Sequence, residues 1–277
     1  MAAPRTAKLD SYGLLQVAGD DARAFLHGQL TNDIEHLPAQ AARLAGWCSA
    51  KGRLLASFLV IPAEGGFLLQ LARDLLPAVQ KRLSMFVLRS KVKISDASAA
   101  WTQYGVWEDA GAPWSVSASA DGLRIALGGG RHLLLARDGT RAADAPEADW
   151  LRAEIAAGRA LITQATQDQF VPQMVDFEHA GGVDFRKGCY PGQEIVARAQ
   201  YRGAVKRRLV RLRGAALRPA QDLFADDVAG QPAGTVVNAA GDEALAVVQT
   251  STIESGSAIR AQPGGAPLER LPLPFAA

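Results

Sequence analysis

Cys189 lies in the segment Lys187-Gly188-Cys189-Tyr190-Pro191-Gly192-Gln193-Glu194, among neighbours that can make a thiol reactive. Proline at a first helical position is a helix-start signal, so Pro191 puts the thiol just ahead of a helix N-terminus. Unpaired backbone N–H groups and a partial positive charge gather there. Arg186 and Lys187 add full charges. Both effects favour the thiolate, the form that attacks electrophiles and binds soft metals. The competing reading is a packed core cysteine, the usual fate of a lone thiol. The Arg-Lys-Gly before Cys189 and the Pro-Gly-Gln-Glu after it make a poor core strand. The other cysteine, Cys48 in Gly46-Trp47-Cys48-Ser49, has no such setting and reads as packing.

The same region is basic. From Arg186 to Arg213 nine Lys and Arg residues stand against one acid, Glu194. A charge run of this kind is ordinarily a solvated surface. Because it brackets the thiol, an anionic partner becomes an alternative: a polyglutamyl tail, a phosphate or an RNA backbone. Aromatic interleaving is thin (Tyr190 and Tyr201), which disfavours base-stacking recognition. The four histidines, at 27, 36, 132 and 179, form no metal-binding pair, and the two cysteines form no CxxC, so no resident metal is expected. No glycine-rich phosphate loop is present; Gly128-Gly129-Gly130 reads as a hairpin turn. Asp168, Asp176, Glu178 and Asp184 fall in a polar loop where solvated carboxylates are the default, and no general acid/base pair stands out.

Elements must hold these groups in place. Leu14–Val17 reads as a strand, followed by a turn and cap at Gly19-Asp20 and a helix with Ala22, Phe25, Leu26 and Leu30 on one face. Residues 43–62 read as a hairpin turning at Ser49-Ala50-Lys51-Gly52-Arg53. Phe67–Leu71 continues the sheet, Asp74 opens a helix over residues 75–87, and residues 91–94 return as a strand. This order predicts an α+β layer of helices on an antiparallel sheet. Short strands at residues 104–107, 122–127 and 132–136 precede a helix over Trp150–Ala157. Residues 164–182 read as a polar loop, and a helix follows Pro191. Beyond Val205, alternating runs between Gly, Pro and Asp turns predict a small β-barrel. The expected domains are residues 1–97, 98–203 and 204–277.

A chain of 277 residues with 48% hydrophobic and 21% charged residues is an ordinary globular protein rather than a disordered or fibrous one. A net charge of +2 leaves electrostatic targeting to local clusters. Apolar runs are strand-sized, the first residues lack a signal-sequence core, and two distant cysteines suit a reducing compartment, so the expectation is cytoplasmic.

The cysteine segment, continued by Ile195-Val196-Ala197-Arg198, Tyr201-Arg202-Gly203 and Lys206-Arg207, resembles the signature of the YgfZ-type folate-binding family. Gln169-Phe170-Val171-Pro172-Gln173-Met174 and Gly181-Gly182-Val183-Asp184-Phe185 are similar to that family's approach to the loop. Gly19–Asp33 resembles its opening helix, and Trp47-Cys48-Ser49-Ala50-Lys51-Gly52-Arg53 its first hairpin. The resemblance runs in order over residues 10–275. It implies a three-domain ring, α+β with antiparallel sheets, helices and a C-terminal β-barrel, like the glycine-cleavage aminomethyltransferase, with tetrahydrofolate in the central hole. It further implies a role in assembling or repairing iron–sulfur enzymes, tRNA-modifying ones included, with Cys189 as the functional thiol. The folate contacts expected on this basis are Trp47 and Lys51 on the hairpin and Lys187, Gln193, Glu194, Arg198 and Arg202 around the cysteine.

Two departures shape the expectation. Aminomethyltransferases carry an Asp on the strand after the first hairpin, where this chain has Leu55, Ala56 and Ser57, which disfavours ordinary aminomethyl transfer. Many relatives carry Glu-Ala-Gly in the mid-chain helix, where Glu can bind the pterin. The register here puts Ala156 at that position, with Glu154 two residues away, nearly opposite on a helix. An accessory protein is therefore expected ahead of a folate-dependent one-carbon transferase or an RNA-binding module.

Overall fold

The computed structural model describes residues 4–275 apart from 138, 140, 202, 204, 215 and 229. The chain opens with β1 (Thr6–Lys8), which does not join the strands that follow it. The first sheet is built from β2 (Tyr12–Ala18), β3 (Arg43–Cys48), β4 (Leu54–Ala63), β5 (Gly66–Ala72) and β6 (Lys93–Asp96), in the spatial order β3-β4-β5-β2-β6. The second takes β1 together with β7 (Thr102–Val106), β8 (Val116–Ser119), β9 (Gly122–Gly128) and β10 (Arg131–Ala136), in the order β1-β7-β10-β9-β8. Every strand pair in both sheets is antiparallel.

Alternation along the first sheet explains its near-continuous hydrophobicity. Leu15, Val17, Val60, Leu69 and Leu71 share one core with helices α1 (Ala22–Gln29) and α2 (Leu76–Ser84). Leu14, Leu59, Ile61 and Leu68 point to the opposite face and pack with Ile125, Leu133 and Leu135 of the second sheet. Successive strand residues face opposite ways, so a strand buried on both faces reads as apolar throughout. Between the two sheets, Gln70 Nε2 donates to Gln103 Oε1 (2.8 Å), and Gln103 Nε2 donates to the carbonyl of Tyr12 (3.0 Å).

Helix α3 (Glu147–Ala156) follows the second sheet. Its first-turn carboxylate, Glu147 Oε1, accepts from the backbone N–H (2.9 Å) and the hydroxyl of Ser11, fixing the residue before Tyr12. A 3-10 turn at Pro172–Val175 interrupts the polar loop, and α4 (Gln193–Tyr201) carries the end of the cysteine motif.

The expected C-terminal barrel is observed as a nearly closed six-stranded sheet. It comprises β11 (Arg207–Arg213), β12 (Asp222–Ala225), β13 (Gly234–Ala240), β14 (Glu243–Gln249), β15 (Ile259–Arg260) and β16 (Glu269–Leu271), ordered β15-β12-β13-β14-β11-β16, with α5 (Thr250–Ser255) after β14. An Arg260–Pro267 bridge brings the two ends together. Val210, Leu212, Ala246 and Val248 fill its interior, while Leu209, Leu245 and Val247 face the first core. The barrel thus docks by its outer apolar face. Among the described residues, no helix is long and apolar enough to cross a membrane.

Candidate functional site

Where the first sheet, α3 and the barrel meet, they line a half-open cavity of about 460 Å³. Tyr12 enters it from β2, Glu154 from α3, Arg159 from the segment after α3, and Asn238 from β13. A register shift between Val236 and Asn238 interrupts β13, and bulges of this kind re-aim side chains. Asn238 here clasps Leu161: its Oδ1 accepts from Leu161 N–H (2.9 Å) and its Nδ2 donates to Leu161 C=O (2.7 Å).

Glu154 is a charge of the cavity that is fixed by ion pairs. Arg131 Nη1 donates to its Oε1 (2.8 Å), and Arg159 grips both oxygens, Nη2 to Oε1 (2.7 Å) and Nε to Oε2 (2.8 Å). Burial pushes this carboxyl up, but the guanidinium groups of Arg159 and Arg131 outweigh it and hold it below the usual carboxylate range. Burial, with Glu154 and Glu147 nearby, pushes the Tyr12 phenol up, so it stays a neutral hydroxyl. That hydroxyl has no hydrogen-bond partner among the described residues.

The mid-chain helix therefore differs from expectation. Glu154, not position 156, faces the cavity, while Ala156 lies on an outer groove with Arg5 and Trp107. Two residues on a helix are about 200° apart, so only one of them can point inward. The sheet contacts of α3 decide which one. Leu55, Ala56 and Ser57 are buried, and Ser57 Oγ accepts from Ile162 N–H (3.0 Å), so β4 supplies no carboxylate.

Cys189 is exposed and Cys48 is buried, and both are free thiols. Burial, with Asp168 beside it, pushes the Cys48 thiol up to about 12, consistent with a packing role. Helix α4 starts at Gln193, so Cys189 lies four residues ahead of it. The separation arises because Gly192, at φ +78°, turns the chain between Pro191 and the helix. Lys187 departs from its expected role too. Its ammonium is buried and donates to the carbonyls of His27 and Leu30 (2.8 Å for Leu30) at the end of α1, 4.9 Å from the Tyr190 ring centroid. Burial drives it down to about 8. It caps a helix C-terminus rather than offering a charge to a ligand.

Of the other expected folate contacts, none lines the cavity. Trp47 is buried in the first core, Lys51, Glu194 and Arg198 are exposed, and Gln193 is half-buried, all around the cysteine loop; Arg202 lies outside the described residues. The hairpin turn and the cysteine loop do come together: Gly52 packs on Ile195 and Gly192. The basic run breaks up in three dimensions. Arg208 Nη1 bridges Asp176 and Glu178, 2.7 Å from each, while Arg211 and Arg213 hold Glu243. Asp176, Glu178 and His179 place ligand atoms within 4.8 Å of one another, yet Arg208 already occupies the two carboxylates. Sequence reading missed Tyr12, Arg131 and Arg159; a tyrosine and two arginines among apolar strand and helix residues were the available signal.

No protein-family model matches the chain. It is 34% identical over 236 residues to the tRNA-modifying protein YgfZ of Edwardsiella ictaluri (strain 93-146), covering 76% of this chain and 71% of that protein. It is 32% identical over 302 residues to the YgfZ of Klebsiella pneumoniae (strain 342), covering 96% and 91%. The chain belongs to the YgfZ family. Its fold is also that of the glycine cleavage system aminomethyltransferase T from Bartonella henselae, with a TM-score of 0.76 at 16% identity over 99% of this chain and 87% of that one. As a YgfZ family member, the chain shares a scaffold with an aminomethyltransferase, and its cavity is lined by an ion-paired glutamate and a neutral tyrosine among other polar groups.

Proposed function

We propose that this protein is a tetrahydrofolate-binding accessory factor for the assembly or repair of iron–sulfur enzymes, tRNA-modifying ones among them, with Cys189 acting on the partner. The observation that carries the folate half is the cavity around Glu154. A carboxylate offers about four acceptor sites, and the two arginines use three. One site remains for an N–H of a pterin ring, with the unpartnered Tyr12 hydroxyl as a second polar contact. The volume lies within the range of ligand pockets. Tetrahydrofolate supplies, when bound, a reduced ring able to carry a one-carbon unit. The chain's own contribution is to orient that ring through Glu154 and Tyr12. The names of the relatives support the tRNA-modification context, and the exposed thiol, which a soft metal or a disulfide could engage, supports the role of Cys189.

A folate-dependent one-carbon transferase is the weaker reading, because β4 brings no carboxylate to the cavity. Anaerobic titration with tetrahydrofolate tests the main one. Tryptophan emission is a suitable readout, since Trp150 lies 5.0 Å from the Arg131 guanidinium. Saturable binding that weakens about tenfold (about 1.4 kcal/mol) in Glu154→Gln is expected; absence of binding sinks the folate half. Failure of Cys189→Ser to restore a cluster-dependent enzyme in deficient cells is expected, and full restoration sinks the thiol half.

A further inference from the structure

Five large apolar side chains stand exposed among the described residues, and they come from two short segments: Met85, Phe86 and Leu88 after α2, and Ile195 and Tyr201 on α4. Single exposed apolar residues are ordinary. These are not scattered. Phe86 meets Trp47 edge-on at 6.2 Å, Trp47 bridges to Leu30, and the Leu30 carbonyl holds the Lys187 ammonium two residues before Cys189. Ile195, in turn, packs on Gly52, at the contact between the hairpin turn and the cysteine loop. Each apolar patch therefore reaches the Cys189 segment by contact: the first through Trp47 and Leu30 to Lys187, the second directly, on the helix that the segment leads into.

Leu88 is 88% exposed and sits at φ +47°. A left-handed leucine costs roughly 1–2 kcal/mol, and here no packing of its side chain offsets that cost. The exposed charges around these patches are mostly basic, although Asp21 lines the groove beside Phe86 and Leu88 and exposed Asp20 pairs with Lys91. Lys51, Arg82, Arg89, Arg186 and Arg198 are exposed and form no ion pair with a described residue, while Glu194 is the one exposed acid in residues 81–91 and 186–201. Phe86 and Tyr201 are the aromatic members of the five, and the others, Met85, Leu88 and Ile195, have no flat face, a poor match to single-stranded nucleic acid sites where successive bases stack on aromatic side chains. Apolar anchors within a basic rim instead match a protein surface that is apolar at its centre and acidic at its edge.

We infer that the face formed by Phe86, Leu88, Ile195 and Tyr201 docks an acidic amphipathic segment of a partner protein across the Cys189 loop. This deepens the accessory-factor reading by naming the chemistry of what the thiol meets, and it rests on that reading.

The probe is a fluorescein-labelled peptide of about 18 residues, five helical turns, with leucines on one face and glutamates elsewhere. A lysine-for-glutamate version and a single-stranded RNA are the comparisons, all read by anisotropy. Saturable binding of the acidic peptide is expected, at least tenfold tighter than the lysine version and falling with salt, together with slower alkylation of Cys189 in the complex. Leu88→Asn is the informative variant, because asparagine tolerates the left-handed conformation and keeps the fold while removing the anchor. It and Phe86→Ser are expected to weaken binding about tenfold. Absent binding, equal binding of the lysine peptide, variants that bind as wild type, or RNA binding that depends on Leu88 would each overturn the inference. Tetrahydrofolate titration of every variant separates the two readings: a variant that loses the peptide and keeps the folate leaves the cavity assignment standing.

Discussion

Gly52 and Gly192 lie against each other with no room for a side chain on Gly192: a Cβ there would come 2.7 Å from Gly52 Cα and 2.3 Å from the Ser49 carbonyl. This contact joins the turn between β3 and β4 to the loop that bears Cys189. Both glycines also have positive φ, +68° and +78°, which only glycine adopts without strain. Gly192→Ala is expected to cost about 1–3 kcal/mol in urea unfolding and to accelerate alkylation of Cys189 as the loop leaves the hairpin. Unchanged stability and alkylation would show that the contact does not position the thiol.

Glu154 is held ionised by two buried guanidinium groups, and its carboxyl titrates below the usual range. A depressed carboxylate contributes stability that is present above its unfolded pKa, about 4.3, and is lost as pH falls through the folded value. Acid unfolding of the wild type should therefore include a component below about pH 4.3 that is missing from Glu154→Gln. At neutral pH the same variant, which leaves Arg131 and Arg159 with no full counter-charge, is expected to lose about 3 kcal/mol. Parallel stability–pH curves for the two proteins would refute the ion-paired state.

Lys187 gives the same sign at alkaline pH. Its folded value, about 8, lies below that of an ordinary lysine. Between the two values the unfolded chain binds more protons, so this residue's contribution to stability rises with pH from about 8 to about 10.4. Lys187→Met should remove that rise. It should also lower stability at pH 7 by about 2 kcal/mol, because the His27 and Leu30 carbonyls lose their donor. Chemical denaturation of both proteins at pH 7, 8, 9 and 10 is the measurement.

The two cysteines differ in access. Cys48 is 2% exposed with its thiol pushed up to about 12, whereas Cys189 is on the surface. Iodoacetamide at pH 7.5 is expected to modify one thiol per chain in the native protein, mapped to Cys189 by peptide mass, and the second only in denaturant. Rapid native labelling of Cys48 would contradict the packing around Trp47.

Much of the architecture was legible because alternation and turn residues are local signals. The hairpin at Ser49–Arg53, the strands of the first sheet, the triple-glycine turn at residues 128–130 and the barrel all follow from them. The crossing of β1 into the second sheet was not legible, since Thr6–Lys8 is too short to carry a pattern. The cavity was harder still. A helix period separates Glu154 from Ala156 but does not say which one faces inward; that depends on the strands and barrel packed against α3. Lys187 looked like an available cation because its neighbours in sequence are polar, while the carbonyls that hold it belong to α1, about 160 positions earlier.

The clasp between Asn238 and Leu161 makes one wall of the cavity a piece of the barrel. A ligand held there and the docking of the barrel are therefore thermodynamically linked, and the linkage is reciprocal. Whatever free energy the ligand gains from a docked barrel, it returns as resistance to the barrel's detachment.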